Sequence, residues 1–251
     1  MPHDGLVHVA LFASGIVAGV LNVLAGGGSF LTLPLLILMG LPATTANGTN
    51  RVGILLQNVG AVWSFRRHGL VETRSIVAAA IPATAGAVAG TIAAQWIGDE
   101  TFKRILAFLM VAVTLWTLWD PLKPKSGVAA APTGSRAGLV AAGFFLAGIY
   151  GGFIQAGVGF MLLAVTTLAG LDLVRGNALK VSCVLVSTPI SLAIFHWNGH
   201  VAWIPGLVLG AGNLLGGVLG ARLAVLKGHR WLKVFVTVTV IALALKLWFS
   251  S

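Results

Sequence analysis

The chain has 251 residues, of which 57% are hydrophobic and only 9% charged, with a mean hydropathy of +0.97; soluble domains carry roughly a quarter charged residues. These values exclude a soluble globular protein, and the single cysteine, Cys183, excludes a disulfide framework or a multi-cysteine metal site. The net charge of +10 does not point to nucleic acid, because the basic residues collect in short loops with no run interleaved with aromatics.

No Lys or Arg precedes the first apolar run, so that segment is expected to be retained rather than cleaved as a signal peptide. Apolar runs then fall at 6–24, 30–41, 45–65, 75–97 and 102–119. The second is too short to cross a bilayer comfortably, which takes about 20 helical residues. A Pro-, Gly- and Lys-containing stretch over 120–136 reads as an exposed linker. The pattern then restarts, with runs at 137–155, 160–171, 176–197, 203–226 and 231–249.

The two halves, 1–119 and 137–251, are a duplication. An ungapped offset of 130 pairs Gly27 with Gly157, Phe30 with Phe160, Asn47 with Asn177, Phe65 with Phe195, Gly69 with Gly199, and Gly86 and Gly90 with Gly216 and Gly220. Five segments per half is an odd number, so the second copy enters the membrane inverted, as in many secondary transporters. The fold expected is an all-α polytopic membrane protein of two inverted repeats. Each has a glycine-broken or re-entrant first helix pair followed by three helices, about 8–10 membrane segments in all.

Charge orients it. With the N-terminus outside, the inner side collects Arg66, Arg67, Arg74, Lys123, Lys125, Arg136, Arg175, Lys227, Arg230 and Lys233, and the outer side only Lys103, Arg104 and Lys246. The positive-inside rule then places the linker in the cytoplasm of a multi-pass inner-membrane protein. Three basic residues remain inside segments, namely Arg51, Lys180 and Arg222. A mid-helix cation costs about 2.5–3.5 kcal/mol on insertion scales and needs a partner, a cavity or an interface. Arg222, five residues before Lys227, reaches the interface.

Two constellations are candidates for a site. The first is Gly26, Gly27, Gly28 and Ser29, with its copy Gln155, Gly157 and Gly159. A helix that stops and restarts in the membrane exposes N–H groups that favour an anion; the other reading of these glycines is close helix packing, which is preferred for Gly86, Gly90, Gly216 and Gly220. The second is Asn47, Thr49, Asn50 and Arg51, with Gln57 and Asn58, matched by Asn177, Lys180 and Ser182. Both cations lie roughly 8–10 Å from their own face at 1.5 Å per residue, so both reach a shared central cavity or snorkel to the nearer interface.

All six acids, Asp4, Glu72, Asp99, Glu100, Asp120 and Asp172, lie at segment ends or in loops. Cation carriers depend on intramembrane carboxylates, so an anionic substrate is favoured. His196 and His200 flank an Asn-Gly turn and are interface residues rather than a metal pair; no metal and no cofactor is expected. The tryptophans at segment ends form the usual belt, and Cys183 packs or lines the cavity. No HExxH, GxSxG or GxxxxGK[ST] motif occurs, so the chain is not expected to be an enzyme.

The glycine break with Phe30, Pro34 and Gly40, the stretch from Asn47 to Arg51, then Gln57, Asn58, Phe65 and Gly69, and their second copies resemble the TauE/SafE sulfite exporter family over nearly the whole chain. The resemblance implies an inner-membrane transporter of a small sulfur-containing or organic anion such as sulfite or a sulfonate. Arg51 and Lys180 would neutralise the anion, the backbone at Gly26–Gly28 and Gly157–Gly159 would cradle it, and Asn47, Asn177 and Gln57 would orient it. Its partners would be this anion and the bilayer, with homo-oligomers left open. A passive anion channel on the same fold, or a membrane scaffold, are the alternatives.

Overall fold

A computed structural model describes residues 2–70, 72–118 and 135–250. Among these residues it contains nine helices and no strand: α1 (Pro2–Leu24), α2 (Ser29–Leu38), α3 (Ala43–Arg67), α4 (Thr73–Gln95), α5 (Asp99–Leu118), α6 (Ser135–Phe153), α7 (Val158–Leu168), α8 (Leu173–Trp197) and α9 (Trp203–Ser250). The linker expected over 120–136, with Lys123 and Lys125, lies outside the described residues as far as 134. Helix boundaries recur at the offset of 130: α3 and α8 begin and end 130 residues apart, and α4 and α9 begin so. Positive-φ glycines also recur in the turns after α2 and α7 (Gly40 and Gly170) and after α3 and α8 (Gly69 and Gly199).

One expectation needs correcting. The break anticipated at 227–230 is absent, and α9 runs through it to Ser250. That stretch has one glycine and no proline, and a lone Gly weakens a helix by about 1 kcal/mol without ending it. The second half therefore has two long helices after its broken pair rather than three. Among the described residues four helices are long and apolar enough to cross a membrane by themselves, parts of α1, α4, α8 and α9. The 25-residue α3 is not among them; its polar residues are tolerated because 17 of its residues are buried in the bundle.

The short helices α2 and α7 span about 15 and 16 Å at 1.5 Å per residue, half of an apolar core of about 30 Å. Their direction follows from what the long helices touch. Gly15 and Gly19 of α1 meet Leu209, Asn213 and Gly216 in ascending order, so α1 runs parallel to α9. Gly86 and Gly90 of α4 meet Phe145 and Ile149 likewise, so α6 runs parallel to α4. These are small-residue crossings in which a Cβ would strike the neighbouring backbone. Since α2 ends where α3 begins, beside the start of α9, α1 and α2 form a re-entrant hairpin; α6 and α7 do the same from the opposite end.

The two ends of the bundle differ in how they hold their helix starts. At one end the carboxylate of Asp99 accepts from Ala43 N (2.9 Å), Thr44 N (3.1 Å) and the Thr44 hydroxyl (3.0 Å), capping α3 from another helix. This is needed because position 42 is proline, which brings no capping side chain. At the other end the matched residue, Asp172, caps its own helix by accepting from Val174 N and Arg175 N. Burial alone would raise the Asp99 carboxyl, but the donors from Thr44 and Ala43, with nearby Lys103, hold it below 3.8.

Replacing Asp99 by Ala should therefore destabilise the protein by about 1 kcal/mol, the usual loss for a missing cap, seen as a lower midpoint of thermal unfolding in detergent. Because the folded carboxyl is depressed, its contribution is complete above the unfolded value of about 3.9 and disappears as pH falls through the folded value. The gap between wild type and Asp99→Asn should be full at pH 7 and close below about pH 4.

Candidate functional site

Breaking a helix inside an apolar bundle leaves carbonyls at the stump and N–H groups at the restart without partners. At both breaks the stump is satisfied by a cation from the other half. Arg51 Nη2 donates to Gly152 O (2.6 Å) and Gly151 O (3.2 Å) at the end of α6, and Nη1 donates to Gln155 Oε1 (3.0 Å). Lys180 Nζ donates to Val23 O (2.8 Å) and Asn22 O (3.1 Å) at the end of α1. Each cation thus meets the negative end of a helix dipole. Both side chains are buried, at 1% and 2% exposure, so neither snorkels, whereas Arg222 is exposed.

Donors remain. An ammonium has three N–H donors and Lys180 uses two; a guanidinium has five, and Arg51 Nε has no partner. The face of Phe195 lies 4.7 Å from the Arg51 guanidinium carbon, a cation–π contact that fixes the plane of the fork. Among the described residues no carboxylate is buried beside either cation.

The restarts lie back to back. Gly26, at φ +93°, touches Gly159 and the Phe160 backbone, and Gly159 touches Gly26 so closely that a Cβ on either would overlap the other chain. At this one contact the packing role of the glycines is shown directly, and Gly28 is held in the same way against Ala18 and Asn22. The restarts also leave backbone donors without partners. The N–H groups of Gly27, Gly28 and Ser29, and of the matched Gly157, Val158 and Gly159, donate to no acceptor among the described residues.

Two narrow clefts reach this centre. One, with about 20 Å³ open inside it, has Arg51, Gln155, Cys183, Ser187 and Ser191 in its wall. The other, with about 10 Å³ open inside it, is lined by Asn22, Gln57, Asn58, Gln155, Gly159 and Lys180. Gln155, Val158 and Val184 belong to both. Gln57 Oε1 accepts from Asn22 Nδ2 (3.1 Å), which leaves the Gln57 amide N–H groups facing the second cleft.

Other predicted residues are engaged elsewhere. Asn47 donates to Phe153 O, reinforcing the Arg51 cap. Asn50 accepts from Thr32 and donates to Ser29, pinning α2 to α3. Thr49 accepts from Ala202 N at the end of the bundle, away from the clefts, and Ser182 donates to Ala178 O of its own helix. Asn177 is fully buried with no partner on either side-chain atom: Val23 O, the match of the carbonyl that Asn47 uses, is taken by Lys180. Sequence reasoning missed Asn22, whose signal was a lone amide late in an apolar run, and Thr91 with Ser191, whose hydroxyls pair (2.9 Å) while Thr91 donates to Gly152 O. His196 lies edge-on to Trp203 and His200 Nδ1 faces Gln95 Oε1 at 2.8 Å; among the described residues no cluster could hold a metal.

The family model for the sulfite exporter TauE/SafE matches residues 11–247. Relatives include a probable membrane transporter protein, ORF9, of Sinorhizobium sp, 32% identical over 94% of this chain and 90% of its own length. A probable membrane transporter protein of Haemophilus influenzae is 32% identical over 91% and 89%, and YfcA of Escherichia coli, with the same description, is 27% identical over 96% and 89%. No solved structure matches the chain.

Replacing Arg51 by Lys should leave at least one of three acceptors unpaired, since an ammonium cannot copy the planar fork. The expected effect is a loss of about 1–3 kcal/mol, the penalty of an unsatisfied buried polar group, read from thermal unfolding. Arg222→Lys, at an exposed position, should have no effect.

Proposed function

The chain belongs to the TauE/SafE sulfite exporter family, and from that premise we propose that it is a secondary transporter, working as an exporter, of a small sulfur-containing or organic anion such as sulfite or a sulfonate. The observation that carries this is the pair of buried cations, Arg51 and Lys180, with donors to spare and no buried carboxylate beside them among the described residues. A buried cation without a counter-charge favours the arrival of an anion. The binding place is the cleft where Lys180, Gln57 and Gln155 face the first turn of α7. There the free N–H groups and the positive end of the helix dipole add to the ammonium charge. The amides orient the oxyanion, and Lys180 exchanges one carbonyl partner for it as a movable point charge. Arg51 stiffens the frame and adds charge from the neighbouring cleft.

The two halves are read as inverted repeats that alternate access to this site. The excess of arginines and lysines on the face with the α3–α4 turn supports a cytoplasmic position for that face and the linker, with the N-terminus outside. Chemistry on the substrate is not required of any residue.

Counterflow in proteoliposomes tests the reading. Labelled sulfite should accumulate when unlabelled sulfite or a sulfonate is trapped inside and not when acetate is. Lys180→Ala should weaken apparent affinity at least tenfold, equivalent to about 1.4 kcal/mol, and Gln57→Ala severalfold. Wild-type affinity in both Lys180→Ala and Arg51→Ala would overturn the site, and fluxes far above carrier rates without counterflow would make the protein a channel.

A further inference from the structure

We propose that the structure is one of two access states of this carrier: open at the end of the bundle carrying the α3–α4 and α7–α8 turns, and sealed at the other end by a gate made of Gly48, Thr49, Gln95 and the α8–α9 turn. The inference rests on the transporter reading and goes beyond it by assigning the gate.

It comes from comparing matched positions. At the open end a cleft of about 260 Å³ lies between Leu70, Ser75 and Ile76 on one side and Arg175, Ala178 and Leu179 on the other. Its floor, Ala178 and Leu179, immediately precedes Lys180 on α8 and adjoins the unpartnered Asn177. The cleft on this face thus approaches the proposed anion site along α8, with Ala178 and Leu179 packed between them. Subtracting 130 carries the floor to Gly48 and Thr49 and the opposite wall to His200, Pro205 and Gly206, counting Leu70, Ser75 and Ile76 forward. There the same space is shut. Gly48 lies directly on His200 O, Thr49 Oγ1 accepts from Ala202 N (2.9 Å), and His200 Nδ1 bonds Gln95 Oε1 (2.8 Å).

Residue types explain why one end closes and its counterpart does not. Position 178 is alanine, whose Cβ forbids the backbone approach that Gly48 allows. Position 179 is leucine and accepts no hydrogen bond, and the matches of His200 and Gln95 are Leu70 and Val225, which are apolar. The cross-helix cap by Asp99 adds a further tie at the sealed end, whereas Asp172 caps only its own helix. Polar ties thus weight the resting population towards the state open at the arginine-rich face, as differential contacts must. The anion loads from that face, and the gate opens only when the transition is driven.

Thiol modification tests this without any substrate. In a Cys183→Ala background of the full chain in detergent, Leu179→Cys on the cleft floor should react with a water-soluble maleimide at least tenfold faster than the matched Thr49→Cys. Adding Gln95→Ala should speed Thr49→Cys severalfold and slow Leu179→Cys, because opening one end closes the other; Gly48→Ala should do the same more strongly. Equal rates at the two reporters, or gate variants that change neither rate or raise both together, would overturn the proposal. If counterflow fails while the reciprocal labelling holds, the substrate reading falls and the gate stands; the converse removes the gate alone.

Discussion

A cation from each half caps the broken helix of the other, and the rest of the bundle is arranged around those two caps. A helix that ends within an apolar interior leaves carbonyls that no water can reach, and each unsatisfied group there costs several kcal/mol. Arg51 on α6 and Lys180 on α1 answer that need with charge-assisted hydrogen bonds. Because each cation must reach its stump, α3 and α8 have to pass through the centre. This is why two 25-residue helices carry amides, hydroxyls and a charge each and are nonetheless buried. The two breaks meet at Gly26 and Gly159, so the stumps, the cations and the free N–H groups of the restarts converge in one region.

The same arrangement that stabilises the breaks leaves uncompensated positive charge at the centre. Oxygen dipoles hold the cations in place without cancelling their charge, and the spare donors on Lys180 and Arg51 border clefts that share Gln155 and Val158. A buried carboxylate at either position would have formed a closed ion pair and left no charge for a substrate. The glycines allow the close backbone contact between the breaks, and beside it lie the restart N–H groups, which are buried and donate to no acceptor among the described residues.

The two halves differ in polar detail at positions matched by the offset of 130. The cation has moved by one position, Arg51 matching Val181 and Lys180 matching Asn50, yet both find the last-turn carbonyls because the arginine and lysine stems are long. The helix starts at Pro42 and Asp172 are matched, but only the second carries its own cap, and α3 takes one from α5. Asn47 kept its carbonyl while Asn177 lost its own to Lys180. A repeat preserved in backbone and varied in polar detail has two ends of unequal strength.

Hydropathy was sufficient by sequence alone to establish a helical membrane protein, and the constant offset, the two glycine breaks and the lone cations at 51 and 180 were legible there as patterns. Those features are local or periodic, and chain order preserves them. Which groups the cations touch was invisible, since Arg51 and Gly152 are 101 residues apart and nothing in either stretch names the other. Thr49 and Ser182 looked like site residues because they are polar, but a hydroxyl is satisfied by whichever group packing brings near: a loop N–H for one and its own helix for the other. The re-entrant path of the short helices, the continuity of α9 through Gly228 and the different closure of the two ends were likewise decided by tertiary packing, because each depends on which backbones approach closely enough to exclude a side chain.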